Sequence, residues 1–321
     1  MVVPAWGSIA GYSLHNNSYE LFPAGMEIEI VNSNKQIMKE SETMPPQKQK
    51  LPGSEQKMHP KPISDDPQYK GTGQLKGKVA LITGGDSGIG KAVAILFAKE
   101  GAKIAMSYLN EEDDAQETRK IIESYGGEVI LLPGDIRFRG KCEKLVRDTV
   151  EEYGRIDILV NNAGLQHTAK TIEEITDEHL EETFAVNILS MFRITRAAMP
   201  HMREGSCIIN TTSITAYEGS PELLDYSATK GAIVAFTRSL AKNLHDKKIR
   251  VNGVAPGPIW TPLIPASFEP ERTEKHGSKA PMERPGQPVE VAPSYLFLAT
   301  KASTYMSGQI LHPNGGTVVN G

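Results

Sequence analysis

Tyr226 and Lys230 stand four residues apart in the run YSATK, a spacing that puts both side chains on one face of a helix. A phenol beside an ammonium is a proton-transfer pair. The free phenol ionises near pH 10 and is a poor base at neutral pH; a cation within a few ångströms favours the phenolate and brings it toward the working range. Moving a hydride to or from a carbonyl carbon needs a proton moved at the oxygen in the same event, and such a pair can move it. Ser213 ends the apolar run CIINTTS (207–213), which reads as a strand. Its hydroxyl therefore emerges at a strand C-terminus, where α/β sheets place their sites, and can hold a substrate oxygen. In isolation the Tyr–Lys pair would read as a solvated helix face and Ser213 as a helix cap or loop hydroxyl. Their order behind a glycine-rich loop changes that reading.

The elements that must position them begin after Gly77. KVALIT (78–83) reads as a buried strand, 89–101 as a helix closed by Gly101, and KIAMSY (103–108) as a second strand. An acidic-headed helix follows, with its carboxylates at the positive helix end, then EVILLPGD (128–135), a helix across 140–153 and IDILVNNAG (156–164). Two long helices are expected over 177–203 and 225–246, and IRVNGVAPG (249–257) and QILHPNGG (309–316) read as the last strands. Continuous apolar strands alternating with amphipathic helices predict a Rossmann-type α/β fold, a doubly wound parallel sheet.

Between the first strand and its helix lies Thr83-Gly84-Gly85-Asp86-Ser87-Gly88-Ile89-Gly90. Glycines let the backbone turn and approach a pyrophosphate with no Cβ in the way, and the helix N-terminus offers free N–H groups and a positive dipole end. The spacing is GxxxGxG rather than the commoner GxGxxG. A glycine cluster alone is weak evidence; strand before and helix after give it weight.

TGGDSGIG, NNAG (161–164), Ser213, YSATK (226–230) and the run from Ala255 to Pro262, in this order, resemble the short-chain dehydrogenase/reductase family over roughly residues 76 to 321. The longer strings GGDSGIG, YLNEED and DYSATKGAIVAFTRSL resemble the branch of glucose/ribitol dehydrogenase homologues and general-stress reductases. The resemblance implies a catalytic group of Asn187, Ser213, Tyr226 and Lys230. In it the tyrosine donates or accepts the proton, the lysine also binds the nicotinamide ribose, the serine orients substrate and the asparagine steadies a water-linked proton path. It further implies coenzyme contacts from Asp135 and Ile136 beside the adenine, from Asn162, Ala163 and Gly164 on the ribose side, and from Pro256, Gly257, Ile259 and Thr261 near the nicotinamide amide and diphosphate. Dimers or tetramers built through the two long helices are also implied.

Coenzyme choice is read at the end of the second strand, where a carboxylate would select NAD by binding the ribose hydroxyls and repelling a 2′-phosphate. Tyr108, Leu109 and Asn110 stand there, and Ser87 rather than a cation precedes Gly88. Asp86 serves as a partial substitute for that carboxylate or as a helix cap, so the expected cofactor is NAD(P) with neither form selected. Gln166, His167 and Glu218 suit a hydroxyl-rich substrate, a polyol or sugar, with Gln166 joining Ser213 and Tyr226 as substrate residues. The proline-rich stretch 258–285, with Trp260 and Phe268, reads as a variable lid. A reductase of small aldehydes or ketones fits equally. A non-catalytic dinucleotide-binding stress protein is the alternative of another class; its mark would be a broken tetrad, and all four members are present.

Composition narrows the rest. Net charge −4 and a pI near 6.1 give no basic field for a nucleic acid. Cys142 and Cys207 have no CxxC partner and read as buried thiols of a reducing compartment, so neither a disulfide framework nor a metal site is expected. No stretch approaches the roughly 20 apolar residues of a membrane span, and the first 25 residues lack a signal peptide's basic start and compact apolar run, which leaves cytoplasm as the expected location. Residues 1–73, with six prolines between 45 and 67, read as an arm that is disordered or laid over the catalytic domain of 74–321; Met26 and Met44 are alternative starts.

Overall fold

The computed structural model describes residues 44–319. The opening stretch, Met26 and the first 43 residues of the arm lie outside the described residues. Seven parallel strands form one sheet: β1 Val79–Thr83, β2 Lys103–Tyr108, β3 Val129–Pro133, β4 Ile158–Asn161, β5 Cys207–Thr211, β6 Arg250–Val254 and β7 Ile310–Leu311, in the order β3-β2-β1-β4-β5-β6-β7. This is the Rossmann-type doubly wound sheet expected from the sequence. Every residue of β1, β4 and β5 is buried, which is why these strands read as continuous apolar runs. The strand order reverses between β1 and β4, and a crevice opens there at the strand C-termini.

Helices α1 Gly88–Lys99, α2 Glu112–Ser124 and α3 Arg139–Tyr153 follow the first three strands. The long helix expected over 177–203 is two α segments, α4 Asp177–Phe184 and α5 Ser190–Ala198, joined by a π-helical turn over Ala185–Leu189. After α6 (Thr215–Glu218) comes α7 (Leu224–Asn243), a single helix of 20 residues that carries Tyr226 and Lys230. The short α8 (Leu263–Ser267) and α9 (Pro270–Glu274) lie in the stretch read as a lid.

The last helix, α10 (Pro288–Ala299), is missing from the sequence reading. Pro288 sits at a first-turn position, where its missing N–H costs nothing, and Pro293 interrupts the interior and disguises the pattern. A capping box compensates: the Gln287 N–H donates to the Glu290 carboxylate at 2.8 Å. Tyr295 and Leu298 are fully buried in the layer that also holds Val93, Phe97 and Ile122 of α1 and α2. The opposite face of the sheet is covered by α3, α5 and α7 through Cys142, Leu145, Ile194, Ala198 and Ala241. Both cysteines are buried and unpaired, and burial pushes each thiol up to about 11.

Residues 44–73 run along this body with one short 3₁₀ turn, Glu55–Lys57. Met44 and Met58 join Leu223, Tyr226, Trp260, Ile264 and Phe268 in a small apolar cluster. The indole N–H of Trp260 donates to the Pro60 carbonyl at 2.9 Å. Farther on, the buried Glu100 carboxylate accepts the backbone N–H groups of Thr72 (3.0 Å) and Gln74 (2.8 Å), tying the segment to the end of α1.

Candidate active site

A cleft of ≈ 930 Å³ opens at the C-terminal ends of the central strands. Its floor is the loop between β1 and α1. Gly88 has φ +53°, a left-handed conformation natural to glycine, and a Cβ there would stand 3.0 Å from Thr261 Cγ2. At Gly90 an added Cβ would lie 1.8 Å from the Gly84 carbonyl oxygen. The loop can fold this tightly only without side chains, and it leaves the start of α1 open to the cleft, as a pyrophosphate requires. Asn162 braces the loop from β4: its Nδ2 donates to the Thr83 and Gly84 carbonyls at 3.1 and 3.0 Å. Its own N–H and that of Ala163 donate to the Thr83 hydroxyl.

The proposed proton-transfer residues share one wall. Ser213 follows β5 and lines the cleft together with Tyr226 of α7; its hydroxyl accepts the Thr215 N–H at 3.2 Å. Lys230, one turn on, donates from Nζ to the Thr211 carbonyl at 3.0 Å and lies 5.2 Å from the centre of the Tyr226 ring. All three are buried. Burial dominates their titration: it pushes Tyr226 up to about 12 against the opposing influence of the nearby Ser213 side chain, and Lys230 down to about 7. The spacing alone suggests a phenolate helped by an ammonium, whereas burial favours the protonated phenol.

Asn187 stands behind this wall, in the π-helical turn. Its Nδ2 donates to the Leu165 carbonyl (2.8 Å) and the Thr229 hydroxyl (3.0 Å), and its Oδ1 accepts the Leu165 N–H (2.8 Å). The side chain thus holds the segment following NNAG against α7. The π turn, an i→i−5 bond from Ser190 N–H to the Ala185 carbonyl, widens the helix where Asn187 enters it.

At the far end, Asp86 is buried beside the acidic start of α2. Burial, with Glu111 and Asp114 nearby, pushes its carboxyl up to about 7. Its backbone carbonyl accepts from the Thr118 hydroxyl at 2.8 Å, fixing the loop to α2. Tyr108, at the end of β2, donates from its hydroxyl to Glu112 at 2.5 Å. Asp135 is clamped by Arg137, whose Nε and Nη2 donate to both carboxylate oxygens, so the carboxyl lies below its ordinary value although burial acts the other way.

Of the residues expected at the coenzyme, all but two line the cleft. Gly90 is packed inside the loop, and Asn110 faces a neighbouring cavity of ≈ 560 Å³ between α2 and residues 48–57. Gln166 and Thr215 also line the cleft; the Gln166 Nε2 and Thr215 Oγ1 atoms are buried without a hydrogen-bond partner. His167 pairs with Glu182 at 3.0 Å and stacks on His179. Among the described residues no group of three His, Cys, Asp or Glu is arranged to hold a metal ion. The sequence reading missed Leu51, Pro52 and Gly53, which form part of the outer rim of the cleft. A Pro-Gly turn is their only local signal.

Comparison with known proteins agrees with this geometry. A family profile described as enoyl-(acyl carrier protein) reductase matches residues 84–318. The chain is 56% identical over 276 residues to NADPH-dependent aldehyde reductase 1, chloroplastic, of Arabidopsis thaliana, covering 84% of this chain and 96% of that protein. It is 54% identical over 284 residues to glucose and ribitol dehydrogenase of Daucus carota, covering 86% and 98%. A short chain dehydrogenase from Burkholderia cenocepacia J2315, solved in complex with NADP, aligns at a TM-score of 0.72 and 31% identity over 76% of this chain and 98% of that one. With the coenzyme loop, the sheet order and relatives matched over nearly their full length, the chain belongs to the short-chain dehydrogenase/reductase family, as an NAD(P)-dependent oxidoreductase.

Proposed function

We propose that the protein interconverts an alcohol of the polyol or sugar type and its carbonyl compound, with Tyr226 as the acid and base. The bound nicotinamide coenzyme supplies or takes the hydride. Gly84, Gly88 and Ile89 would seat its diphosphate at the start of α1, where the Thr261 methyl packs against Gly88. Ser213 and Tyr226 offer two hydroxyls to one substrate oxygen. In reduction, Tyr226 passes its proton to the carbonyl oxygen as the hydride arrives at carbon; in oxidation it takes the proton back. Lys230, poised near neutrality, balances charge beneath the phenol and reaches toward the coenzyme ribose.

The observation that carries the polyhydroxy reading is the buried amide of Gln166, a residue that lines the cleft and whose Nε2 has no partner, with the unpartnered hydroxyl of Thr215, another lining residue. A buried donor left without a partner costs about 1–3 kcal/mol, and a substrate hydroxyl removes that cost. Steady-state assays with NADH and NADPH on matched sets of hydroxylated and plain aldehydes and ketones test it. Gln166→Leu should lower kcat/KM about tenfold or more for hydroxylated substrates and less than twofold for plain ones; an equal loss for both sets contradicts the polyol reading.

The second reading, a reductase of small aldehydes, is favoured by the 56% identity to NADPH-dependent aldehyde reductase 1, chloroplastic, of Arabidopsis thaliana. The same assays decide it. We also infer a homo-oligomer joined through α5 and α7, because Leu189 just before α5, Phe192 on α5 and Leu224 on α7 are exposed, 43%, 51% and 39%. Sedimentation of the purified chain checks this. Cytoplasmic residence is consistent with the two unpaired thiols.

A further inference from the structure

Helix α1 begins at Gly88, and the residue before it, Ser87, has the extended backbone of an N-cap but makes no side-chain cap bond. The cap comes from 33 residues upstream. Glu55, on the 3₁₀ turn of the arm, accepts the Gly88 N–H on Oε2 at 2.7 Å. Its other oxygen accepts from Lys91 Nζ at 2.8 Å, one turn into the helix. Both charged side chains are buried, 3% and 4% exposed. The turn that presents Glu55 is itself fastened: the Asp114 carboxylate accepts the backbone N–H groups of Glu55 (2.8 Å) and Gln56 (3.1 Å). Immediately before it, Gly53 packs so closely on α8 that a Cβ would come within 2.7 Å of the Pro262 carbonyl oxygen. Pro262 follows Thr261, whose methyl lies over Gly88. The arm therefore touches both lips of the coenzyme cleft, the glycine loop through Glu55 and the Thr261 segment through Gly53.

A carboxylate on the first free N–H of a helix is a capping interaction with the dipole in its favour. Here it sits on the helix whose remaining N–H groups must receive the diphosphate. An uncompensated anion at that point would repel phosphate; Lys91 balances it. The net effect is to fix where Gly88 points while Lys91, which also lies 3.8 Å from Glu117, offsets the charge of Glu55.

We propose that Glu55 is a coenzyme-positioning residue, and that docking of residues 44–64 and binding of the nicotinamide coenzyme reinforce one another. Coupling of this kind is reciprocal: whatever factor the docked arm adds to coenzyme affinity, the coenzyme adds to arm docking. Glu55→Gln keeps an acceptor for Gly88 but loses the ion pair, and Glu55→Leu loses both.

The test is the dissociation constant of NADH and of NADPH, measured by fluorescence titration on the full-length variants, beside kcat at saturating coenzyme. A cap is worth about 1 kcal/mol and 1.4 kcal/mol is tenfold in affinity. The expected result is a roughly fivefold weakening for Glu55→Gln and about tenfold or more for Glu55→Leu, with kcat and the substrate KM within about twofold. Unchanged coenzyme affinity in both folded variants overturns the proposal, as does a fall in kcat with affinity intact. Should either variant fail to fold, the native protein decides. Saturating NADH or NADPH should slow tryptic cleavage at the exposed Lys48, Lys50 and Lys57 severalfold, and cleavage indifferent to coenzyme refutes the coupling.

Discussion

The wall of the cleft that carries the proposed proton-transfer residues hangs from strand ends, whereas the adjoining rim is made by chain with hardly any regular structure. Ser213 follows β5, and Tyr226 and Lys230 leave the first turns of a helix of 20 residues, so the backbone that aims them is held by sheet and helix ladders. Glu55, Gly53 and Met58 belong to a segment whose one regular element is a three-residue 3₁₀ turn. That segment is held by side chains and long-range bonds instead: Asp114 on the Glu55 turn, Trp260 on the Pro60 carbonyl, Gln287 on the Ile63 N–H at 3.0 Å. Rigid elements suit proton transfer, which depends on fixed distances between reacting atoms. A strapped-on segment suits a rim, which must admit and release a large coenzyme. The two walls should therefore fail in different ways when changed: the first in turnover, the second in affinity or stability.

The largest effect separating them comes from Lys230. Lys230→Met removes the charge beneath the phenol and should lower kcat about 10²–10⁴-fold, measured at saturating coenzyme, with little change in melting temperature. A variant that melts many degrees lower and keeps its turnover would make Lys230 a packing residue.

Asp86 sharpens the comparison from the loop between the walls. Its carboxyl is held near 7, far above the ordinary 3.8, so it is neutral in the folded chain where the unfolded chain has already ionised. Its contribution to stability is fully present below about pH 4 and is lost as pH rises through about 7. Asp86→Asn should flatten that decline and raise stability at pH 8 by an amount on the order of 4 kcal/mol, at about 1.4 kcal/mol per pKa unit. Denaturant titrations of both proteins at pH 4, 6 and 8 measure it; parallel pH profiles would mean the carboxyl is not held neutral.

Trp260 gives the smallest effect. Trp260→Phe leaves the Pro60 carbonyl without its donor and should cost about 1–3 kcal/mol by denaturant unfolding while kcat stays within about twofold. A loss of turnover would tie the strap to chemistry rather than to the rim.

The strand-end wall was the legible one. Parallel strands buried on both faces must be apolar throughout, so each appears in the sequence as an unbroken run, and residues that follow such runs are placed at the crevice by topology alone. The glycine loop was legible because close packing around Gly88 and Gly90 tolerates no other residue. The rim was not, since Glu55 finds its partners at Gly88, Lys91 and Asp114, up to 59 positions away, and no local pattern announces a cap supplied from a distance. Helix α10 was hidden by Pro293, whose lost bond is outweighed by burying Tyr295 and Leu298. The burial of Tyr226 was not legible for a related reason: spacing reveals a neighbouring cation, whereas desolvation comes from packing by residues scattered along the chain, among them Met44, Met58 and Trp260.

Tyr226→Phe tests the central claim most directly, because it deletes one oxygen and leaves the packing of the ring. Turnover at saturating coenzyme and NAD(P)H affinity should be measured on the same sample. Loss of about 10²–10⁴-fold in kcat with coenzyme affinity unchanged is the predicted result. Turnover within a few-fold of the unaltered protein would contradict the assignment of Tyr226 as the proton-transferring group.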